Sequence, residues 1–445
     1  MNTYSSYKDS GIEWIGEIPS GWRIEKLKYI GNLYGGLTGK SGKDFNNEDN
    51  PYNKPFIPFT NIFNNVYISS NHFQYVNIKP DERQNRVIKN DLFFLMSSEG
   101  YEDLGKSSIL ISEIDELYLN SFCKGYRVNT DDVNPLFVNY QLLGNTHRKL
   151  ISIEGKGFTR INLRQDKLKN TYMFIPPLQE QQQIVDYLDK KTSKIDKLIE
   201  KTEQKIELLK EQRTSLINTT VTKGLNPNVE MKDSGVEWIG EIPSKWKTTR
   251  LKYIFKLREE KTDTGEGELL TVTITKGIVR RRDFIKKGDH LSRSKSLKGY
   301  KVCYTNDLVN NIMKMGFRCL GISDYNGIVS PAYSVFSFIN NKNKPMYWDY
   351  LLRTDLYVTE YKKRSKGIQE SRMRLYDDYF LDIVSIVPPH QEQQQIVDYL
   401  DKENSKLDKL IDIESKRIKL LKEYRQSLIS DVVTGKVDVR DEVLG

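Results

Sequence analysis

The sequence QEQQQIVDYLDK at residues 179–190 recurs without a single change at residues 391–402. Each copy follows a diproline and begins a run without proline or glycine that extends to about residue 218 in the first half and about residue 430 in the second. Prolines are tolerated at a helix entrance because the first N–H groups have no intrahelical partner. The pattern therefore predicts two long helices, each roughly 60 Å in length at about 1.5 Å per residue.

Both runs carry apolar residues at heptad spacing, which is typical of a coiled-coil seam. A helix of this length needs a partner along it, and we predict that the two helices pair antiparallel. Thr202 and Glu414 occupy the central layers, and we hypothesise that their meeting fixes the register; the alternative is a tolerated polar residue in a partly exposed seam. Leu198, Ile199, Ile206, Leu410, Ile411 and Ile418 extend the same stripe. The predicted seam consists of Leu188, Ile195, Thr202, Leu209, Leu216, Leu400, Leu407, Glu414, Leu421 and Leu428.

A second repeat opens each half of the chain. Residues 8–20 read KDSGIEWIGEIPS, and residues 232–244 repeat them with one Ile-to-Val change. The prolines and glycines predict an irregular segment rather than a helix. Because the tryptophans recur in a fixed frame, we interpret Trp14, Trp22, Trp238 and Trp246 as core residues rather than as surfaces that stack on nucleic acid.

Two unlike bodies, about 31–175 and 255–387, lie between these repeats. Short β-like runs alternate with turns, and helical stretches follow near 135–150 and 345–364; the runs include FIPFTNIF (56–63), DLFFLM (91–96), ELLTVTITKGIVR (268–280) and SPAYSVFSFI (330–339). The fold class is therefore α/β, with two globular domains in tandem, two long helices and an internal pseudo-twofold repeat. The predicted domains are 1–178, 179–224 (helix), 225–390, and 391–445 (helix and tail).

Composition restricts the class of protein. The 445 residues are 38% hydrophobic and 29% charged, which is typical of soluble globular proteins. No stretch reaches the roughly 18–20 apolar residues that span a membrane, and the N-terminus does not resemble a signal peptide. Three cysteines without a CxxC pair and four scattered histidines favour a cytoplasmic protein with no metal site. A net charge of +9 suits a polyanionic partner.

Three motifs resemble catalytic sites without matching them. GGLTGKS (35–41) lacks the first glycine of a phosphate-binding loop, because Tyr34 stands there. DTGEGE (263–268) follows a charged run rather than the buried strand that a methyltransferase cofactor turn requires. ISIEGK (151–156) offers half of a nuclease motif without an acidic partner. We predict no catalytic residue and no metal ligand.

Basic clusters are the remaining candidates for a binding site. Each half has one basic cluster around a glycine shortly before its diproline. The two clusters occupy equivalent places but differ in residues. A solvated surface is the alternative interpretation of any one cluster, whereas two at equivalent places favour two DNA-contacting surfaces of different preference. The candidates are Arg148, Lys149, Lys156, Arg160, Arg164, Arg280, Arg281, Arg282, Lys286, Lys362, Lys363, Arg364, Lys366, Arg372 and Arg374.

Several phrases together resemble one known family. The opening KDSGIEWIGEIPSGW, the helix entrances PPLQEQQQI and PPHQEQQQI, and two unlike bodies alternating with near-identical helices are similar to the DNA-specificity (S) subunits of type I restriction-modification systems. The similarity covers essentially the whole chain; the glycine-threonine phrase near the start of a body is clear in the first half and poorly matched around 257–275. Further similar phrases are GGLTGKS (35–41), NDLFFLMSSEG (90–100), LGKSS (104–108) and GIVSPAYSVF (327–336).

The resemblance implies a function without catalysis by this chain. Each body would be a target recognition domain that reads one half of a bipartite, asymmetric site in double-stranded DNA in the bacterial cytoplasm. The helices would space the half-sites and dock two modification subunits. No cofactor is expected here: S-adenosylmethionine would bind the modification subunits, and restriction subunits would use ATP and Mg²⁺. Two alternatives are a solitary DNA methyltransferase or nuclease, and a coiled-coil interaction protein without a nucleic-acid role.

Overall fold

The computed structural model describes residues 2–13, 15–45, 51–284, 296–367 and 373–442. The chain forms two compact units, one of Met1–Glu203 with Lys416–Gly445 and one of Gln204–Ser415. Each unit combines one body with a portion of both long helices. The four domain boundaries given above stay a prediction, because this division cuts both helices midway. Trp14, Lys286 and Arg372 lie outside the described residues.

The first unit is built on a four-stranded sheet of order β4-β11-β7-β9 and a three-stranded sheet of order β10-β5-β6, and its strand pairs are antiparallel except for the parallel pair β5–β10. Its strands are β1 (Tyr7–Asp9), β2 (Glu17–Pro19), β3 (Arg23–Lys26), β4 (Gly31–Gly35), β5 (Asn53–Ile57), β6 (Gln74–Asn77), β7 (Leu92–Leu95), β8 (Ser97–Ser98), β9 (Ser107–Ile109), β10 (Tyr118–Leu119), β11 (Cys123–Val128), β12 (Ile161–Asn162) and β13 (Tyr172–Ile175). Its helices are α1 (Leu27–Ile30), α2 (Phe59–Asn64), α3 (Pro135–Leu143), α4 (Asn145–Ile153), α5 (Gln165–Lys169) and the start of α6 (Leu178–Lys223).

The second unit repeats this plan around a sheet of order β17-β24-β21-β22. Its strands are β14 (Met231–Asp233), β15 (Glu241–Pro243), β16 (Lys247–Arg250), β17 (Phe255–Leu257), β18 (Leu270–Thr273), β19 (Gly277–Arg280), β20 (Lys301–Cys303), β21 (Leu308–Asn311), β22 (Leu320–Ile322), β23 (Gly327–Val329), β24 (Tyr333–Phe338) and β25 (Val384–Val387). Its helices are α7 (Arg281–Phe284), α8 (Pro345–Leu352), α9 (Asp355–Arg364), α10 (Asp377–Leu381) and the start of α11 (His390–Val433).

One predicted strand was partly wrong. FIPFTNIF (56–63) was expected to be extended, but β5 ends at Ile57 and Phe59–Asn64 is helical. Pro58 separates the two, because proline cannot donate to a sheet and is well suited to a helix start. The side chain of Asn61 then holds the helix by hydrogen bonds with the backbone of Ser69.

The long helices follow the predicted bounds closely and run antiparallel within each unit. In the first unit the Arg425 guanidinium pairs with both oxygens of Asp196, at 2.8 and 3.2 Å. In the second unit Lys205 pairs with the buried carboxylate of Glu414 at 2.5 Å. The carboxylate at the central position of α11 therefore has a cation as its partner. The register role proposed for Thr202 and Glu414 stays a hypothesis.

Most of the predicted seam is buried, and the rest is half-buried. Leu198 and Leu410 were predicted to extend the covered stripe, but this was wrong, because they are 42% and 43% exposed. A pair of helices covers only a narrow stripe on each, and here the next residue along each helix is covered instead: Ile199 is buried and Ile411 is half-buried.

Each body is anchored to its long helix by equivalent contacts. The Tyr140 hydroxyl on α3 donates to Asp189 on α6, and the Tyr350 hydroxyl on α8 donates to Asp401 on α11. Asp189 and Asp401 occupy the same place in the repeated DYLDK phrase. The repeated helix start thus fixes the body as well as the helix.

The frame tryptophans complete this anchor. Trp22 and Trp246 are buried, and their Nε1 atoms donate to Glu180 at 2.8 Å and to Glu392 at 2.9 Å. These acceptors are the glutamates of the two QEQQQ phrases. The core interpretation of these two tryptophans is confirmed, and half-buried Trp238 packs edge-on against the Tyr357 ring.

A buried aspartate supports the central sheet of each body. Asp91 follows Asn90, whose φ is 70°, and Asp307 follows Asn306, whose φ is 72°. Asparagine tolerates this left-handed conformation better than most residues. The turn aims both carboxylates inward, where Asp91 accepts from the guanidinium of Arg127 and Asp307 from that of Arg258.

Candidate nucleic-acid interface

The two glycine-centred basic segments have the same backbone pairing at their ends. Lys156 and Asn162 exchange backbone hydrogen bonds of 3.1 and 2.9 Å, and Lys366 and Arg374 exchange two of 2.9 Å. The residue after each lysine is a glycine with φ of 141° (Gly157) or 152° (Gly367). We call these segments, 156–162 and 366–374, the first and second Lys-Gly loops.

Glycine is required at the start of the first loop. A Cβ atom on Gly157 would lie 2.0 Å from the carbonyl oxygen of Arg160, far inside van der Waals contact. Its positive φ is also accessible to glycine and costly for other residues. The sequence thus sets the narrow shape of the loop.

Three of the predicted cations of the first unit are exposed within this loop or on the helix that precedes it. Lys149 on α4, Lys156 and Arg160 are exposed. The Arg160 Nε donates to the Ser97 hydroxyl at 3.2 Å, while its guanidinium lies 5.7 Å from the centre of the Phe122 ring. These contacts orient the cation and leave the loop surface open to a ligand.

Arg164 and Arg148, two of the predicted cations in this unit, donate to acceptors within the protein. Arg164 is exposed, but it pairs with Asp166 at 2.9 and 3.1 Å. Arg148 is a correction: its Nη2 donates to the carbonyl oxygens of Glu102 and Leu104, both at 2.7 Å. Burial lowers the pKa of the Arg148 guanidinium. Arg148 therefore supports the chain at 102–104 and does not offer a free cation for phosphate.

In the second unit the basic residues gather at the end of α9. Lys362, Lys363 and Lys366 are exposed, and Arg364 pairs with Glu360 at 2.5 Å. The ammonium of Lys362 lies 5.9 Å from the Phe317 ring centre, and that of Lys366 lies 4.4 Å from the Tyr379 ring centre. Cations at a helix C-terminus are also favoured by the helix dipole. The cluster therefore has a structural role alongside any role in binding.

Arg280, Arg281 and Arg282 lie where β19 passes into α7. The Arg280 guanidinium stacks 4.6 Å from the Tyr325 ring centre, and Arg282 pairs with Glu268 at 2.9 Å while its side chain stays 56% exposed. Their hairpin is tied to the helices by Arg353, whose Nη2 donates to the carbonyl oxygens of Ile274 and Thr275. Both basic segments of the second unit therefore belong to one packed body.

The buried cysteines of the bodies serve packing. Burial raises the pKa of the Cys123 and Cys303 thiols to about 12, so neither is poised as a nucleophile. Among the described residues, no group of histidine, cysteine and acidic side chains is arranged to hold a metal ion. No helix there is both long and apolar enough to cross a membrane.

Sequence reasoning missed the aromatic portion of this surface. Phe158, in the middle of the first Lys-Gly loop, is 104% exposed, and Phe122 beneath Arg160 is 63% exposed. Tyr29 and Tyr253 are exposed at equivalent places in the repeated LKYI phrase. The available signal was a lone phenylalanine inside the polar, glycine-flanked segment GKGFTR.

We predict a pH dependence of the first unit that arises from His147. Burial lowers the pKa of His147 to about 4, and its Nε2 hydrogen-bonds the carbonyl oxygen of Tyr172 at 2.8 Å. An unfolded histidine titrates near 6.5, so from pH 6.5 down to about 4 the unfolded state binds the extra proton. The free energy of unfolding should therefore decrease as the pH decreases across this window, by about 3 kcal/mol in total.

Hydrogen exchange of β13, corrected for intrinsic rates, measures this loss. His147→Gln should remove most of the pH dependence of the protection, whereas His72→Gln, at an exposed position, should leave it unchanged. An unchanged dependence in His147→Gln would assign the effect to other groups.

Comparison with known proteins agrees with this architecture. A model of the type I restriction modification DNA specificity domain matches residues 19–208 and 243–423. A Methanocaldococcus jannaschii protein assigned as the type I restriction enzyme MjaX specificity subunit is 29% identical over 53% of this chain and 53% of its own length. The match thus spans about half of that relative. The MjaVIII specificity subunit of the same organism is 22% identical over 82% of this chain and 83% of its own.

Solved structures show the same fold. A chain from work on complex assembly and conformational transition of the type I R-M system superposes with a TM-score of 0.67 at 13% identity, covering 94% of this chain and 99% of that one. The HsdS subunit from Thermoanaerobacter tengcongensis gives 0.53 at 14% identity, covering 94% and 98%. The predicted α/β fold with tandem domains and long helices is confirmed. With two matched domains that span most of its length, the chain belongs to the type I restriction modification DNA specificity family.

Proposed function

We propose that this chain is the sequence-reading subunit of a type I restriction-modification complex and that each body reads one half of a bipartite, asymmetric site in double-stranded DNA. The observation that carries the proposal is that the two units share the same structural contacts but differ in their exposed basic segments. Both units repeat the tryptophan–glutamate contact, the tyrosine–aspartate anchor and the backbone pairing that begins at the lysine of each Lys-Gly loop. The residues within and around the loops differ, so the two bodies prefer different bases.

The exposed cations would hold the duplex through its phosphates, and fewer side chains would read base edges. This role falls to Lys149, Lys156, Arg160 and Arg164 in the first unit and to Arg280, Arg281, Arg282, Lys286, Lys362, Lys363, Arg364, Lys366, Arg372 and Arg374 in the second. Arg164, Arg282 and Arg364 would have to exchange a carboxylate for a phosphate. For the exposed Arg164 and Arg282 that exchange costs little, because such pairs contribute about 0–1 kcal/mol. For Arg364 it costs more, because its partner Glu360 is buried and would be left without its cation.

The long helices would space the half-sites and dock two modification subunits. Besides the seam, they expose Leu208, Ile413 and Leu420 by 63%, 58% and 64%. S-adenosylmethionine would be bound by those partners, and restriction subunits would supply ATP- and Mg²⁺-dependent translocation and cleavage. We propose that the complex acts in the cytoplasm and that this chain is its non-catalytic member.

Methylome sequencing of cells that express this chain with its modification partner tests the proposal. We expect a single methylated motif with two unlike half-sites and a fixed gap. Deleting one heptad from α6 should change the gap and keep both half-sites, since the helices lie outside the bodies that read bases. Methylation by this chain alone would favour the solitary methyltransferase, and absence of salt-sensitive DNA binding would favour the coiled-coil interaction protein.

A further inference from the structure

Phe158 is the most exposed large apolar side chain among the described residues, at 104% of its reference area. It lies in the middle of the first Lys-Gly loop, with Lys156 two residues before it and Arg160 two residues after it. A phenylalanine in this position buries nothing in the free protein. Because exposed aromatic area is unfavourable in water, a partner that covers Phe158 would gain binding free energy.

The shape of the loop suits insertion into a narrow space. The paired backbone bonds between Lys156 and Asn162 close its base, and Gly157 allows the sharp turn. At its side the Arg160 guanidinium is held by the Ser97 hydroxyl and the Phe122 ring. The loop is therefore a hairpin with a fixed base, an apolar tip and cations on both flanks.

The charges beside Phe158 select the partner. Lys156 and Arg160 flank the ring in the chain, and Lys149 is exposed in the middle of α4. Duplex DNA presents phosphates on both sides of a stack of flat apolar rings, which matches an aromatic ring with a cation on either side of it in the chain. Aromatic and aliphatic side chains placed between basic residues can wedge neighbouring base pairs apart and kink the duplex.

We propose that Phe158 inserts between two neighbouring base pairs of the half-site read by the first body, with Lys156 and Arg160 on the phosphates on either side. The insertion reads the DNA by its deformability, because pyrimidine–purine steps unstack most easily. The first body thus gains specificity at a step whose base edges it does not need to touch. This inference rests on the proposed DNA-reading function.

The experiment uses the full chain with its modification partner and a duplex that carries the site found by methylome sequencing. 2-Aminopurine replaces each adenine of the first half-site in turn, on either strand. Its fluorescence increases when the base loses its stacked neighbour. We expect the wild type to raise the fluorescence at one step. Phe158→Ala should abolish that rise and weaken binding about tenfold or more, in line with the loss of one base–aromatic stack. Phe158→Trp should retain both the fluorescence rise and the affinity of the wild type.

Two control variants separate insertion from other losses. Ile153→Ala removes another exposed apolar side chain (79% exposed) of the same unit and should change neither readout. Arg160→Gln should lower the salt dependence of binding by about 0.9 in slope, whereas Phe158→Ala should leave that slope unchanged because no charge is lost.

The outcomes are distinct. If no duplex is bound in a salt-sensitive way, the proposed function itself fails. If the site is bound and no step of the half-site brightens, or if Phe158→Ala brightens the same step as the wild type, the insertion is overturned. Weaker binding by Phe158→Ala without any fluorescence change in the wild type would assign the ring to a groove contact or a protein partner, and would likewise overturn it.

Discussion

Asp91→Ala should lower the stability of the first unit by about 3 kcal/mol, the largest loss that we expect from a single substitution. The buried carboxylate accepts from Arg127 Nε and Nη2 at 2.8 and 2.7 Å, from the Ile88 backbone N–H at 2.9 Å and from the Tyr34 hydroxyl at 2.6 Å. Alanine leaves the tyrosine hydroxyl and the backbone donor without an acceptor. We place the loss at the lower end for a broken buried pair because the Arg127 side chain is 41% exposed.

Hydrogen exchange of the central strands measures this prediction. With two units the unfolding of the whole chain is not a two-state process, so a local readout is needed. Asp91→Ala should reduce the protection of β7 and leave β21 unchanged. Asp307→Ala, which removes the acceptor of Arg258 and of the Tyr304 backbone N–H, should do the reverse. Asp81→Ala, at an exposed position, should alter neither strand. Equal effects of Asp81→Ala and Asp91→Ala would contradict the argument.

Replacing Arg280, Arg281 and Arg282 together with glutamine should produce the largest loss of DNA affinity. Each lost phosphate contact lowers the slope of log affinity against log salt by about 0.9, so three lower it by about 2.7. At physiological salt we expect binding to weaken by about a hundredfold. Glutamine preserves hydrogen bonding and much of the side-chain length, so the main change is the loss of three positive charges. Electrophoretic titration at several salt concentrations gives both quantities.

A matched variant controls for net charge. Lys232, Lys245 and Lys247 are exposed in the opening frame of the same unit, and replacing all three with glutamine removes the same charge from a different place. We expect the slope of this variant to stay close to that of the wild type. If the two triple variants had equal slopes, the arginines would act only through the overall charge, and we would remove them from the interface.

The repeated helix starts and their heptads were sufficient to predict the long helices, because periodicity and the absence of proline and glycine are local properties of the sequence. Leu198 and Leu410 were not predictable in this way. They share the stripe of the seam, but only the packing of one helix on the other shows how wide the covered stripe is. FIPFTNIF failed for a similar reason, since an apolar run of this length suits a strand or a helix and Pro58 divides it.

In the candidate interface the sequence found the lysines and arginines but could not sort them. Arg148 and Lys149 are neighbours on α4, yet one supports the carbonyl oxygens of Glu102 and Leu104 and the other is exposed. Their difference arises from residues more than 40 positions away in the chain. Phe158 was overlooked because a lone aromatic residue in a sequence is usually buried, and only its position in a closed hairpin shows that it is not.

The sequence by itself determined the repeated opening segment, the two helices, the unlike bodies and the equivalent basic segments. Each of these can be recognised from the type and spacing of residues along the chain. The tertiary structure decided what those residues do. Burial and long-range hydrogen bonds turned Glu180 and Glu392 into acceptors for tryptophans, Asp91 and Asp307 into supports of a sheet, and Arg148 into a structural contact. They left Phe158 and the loop cations exposed, because a closed hairpin has no room to bury its own tip.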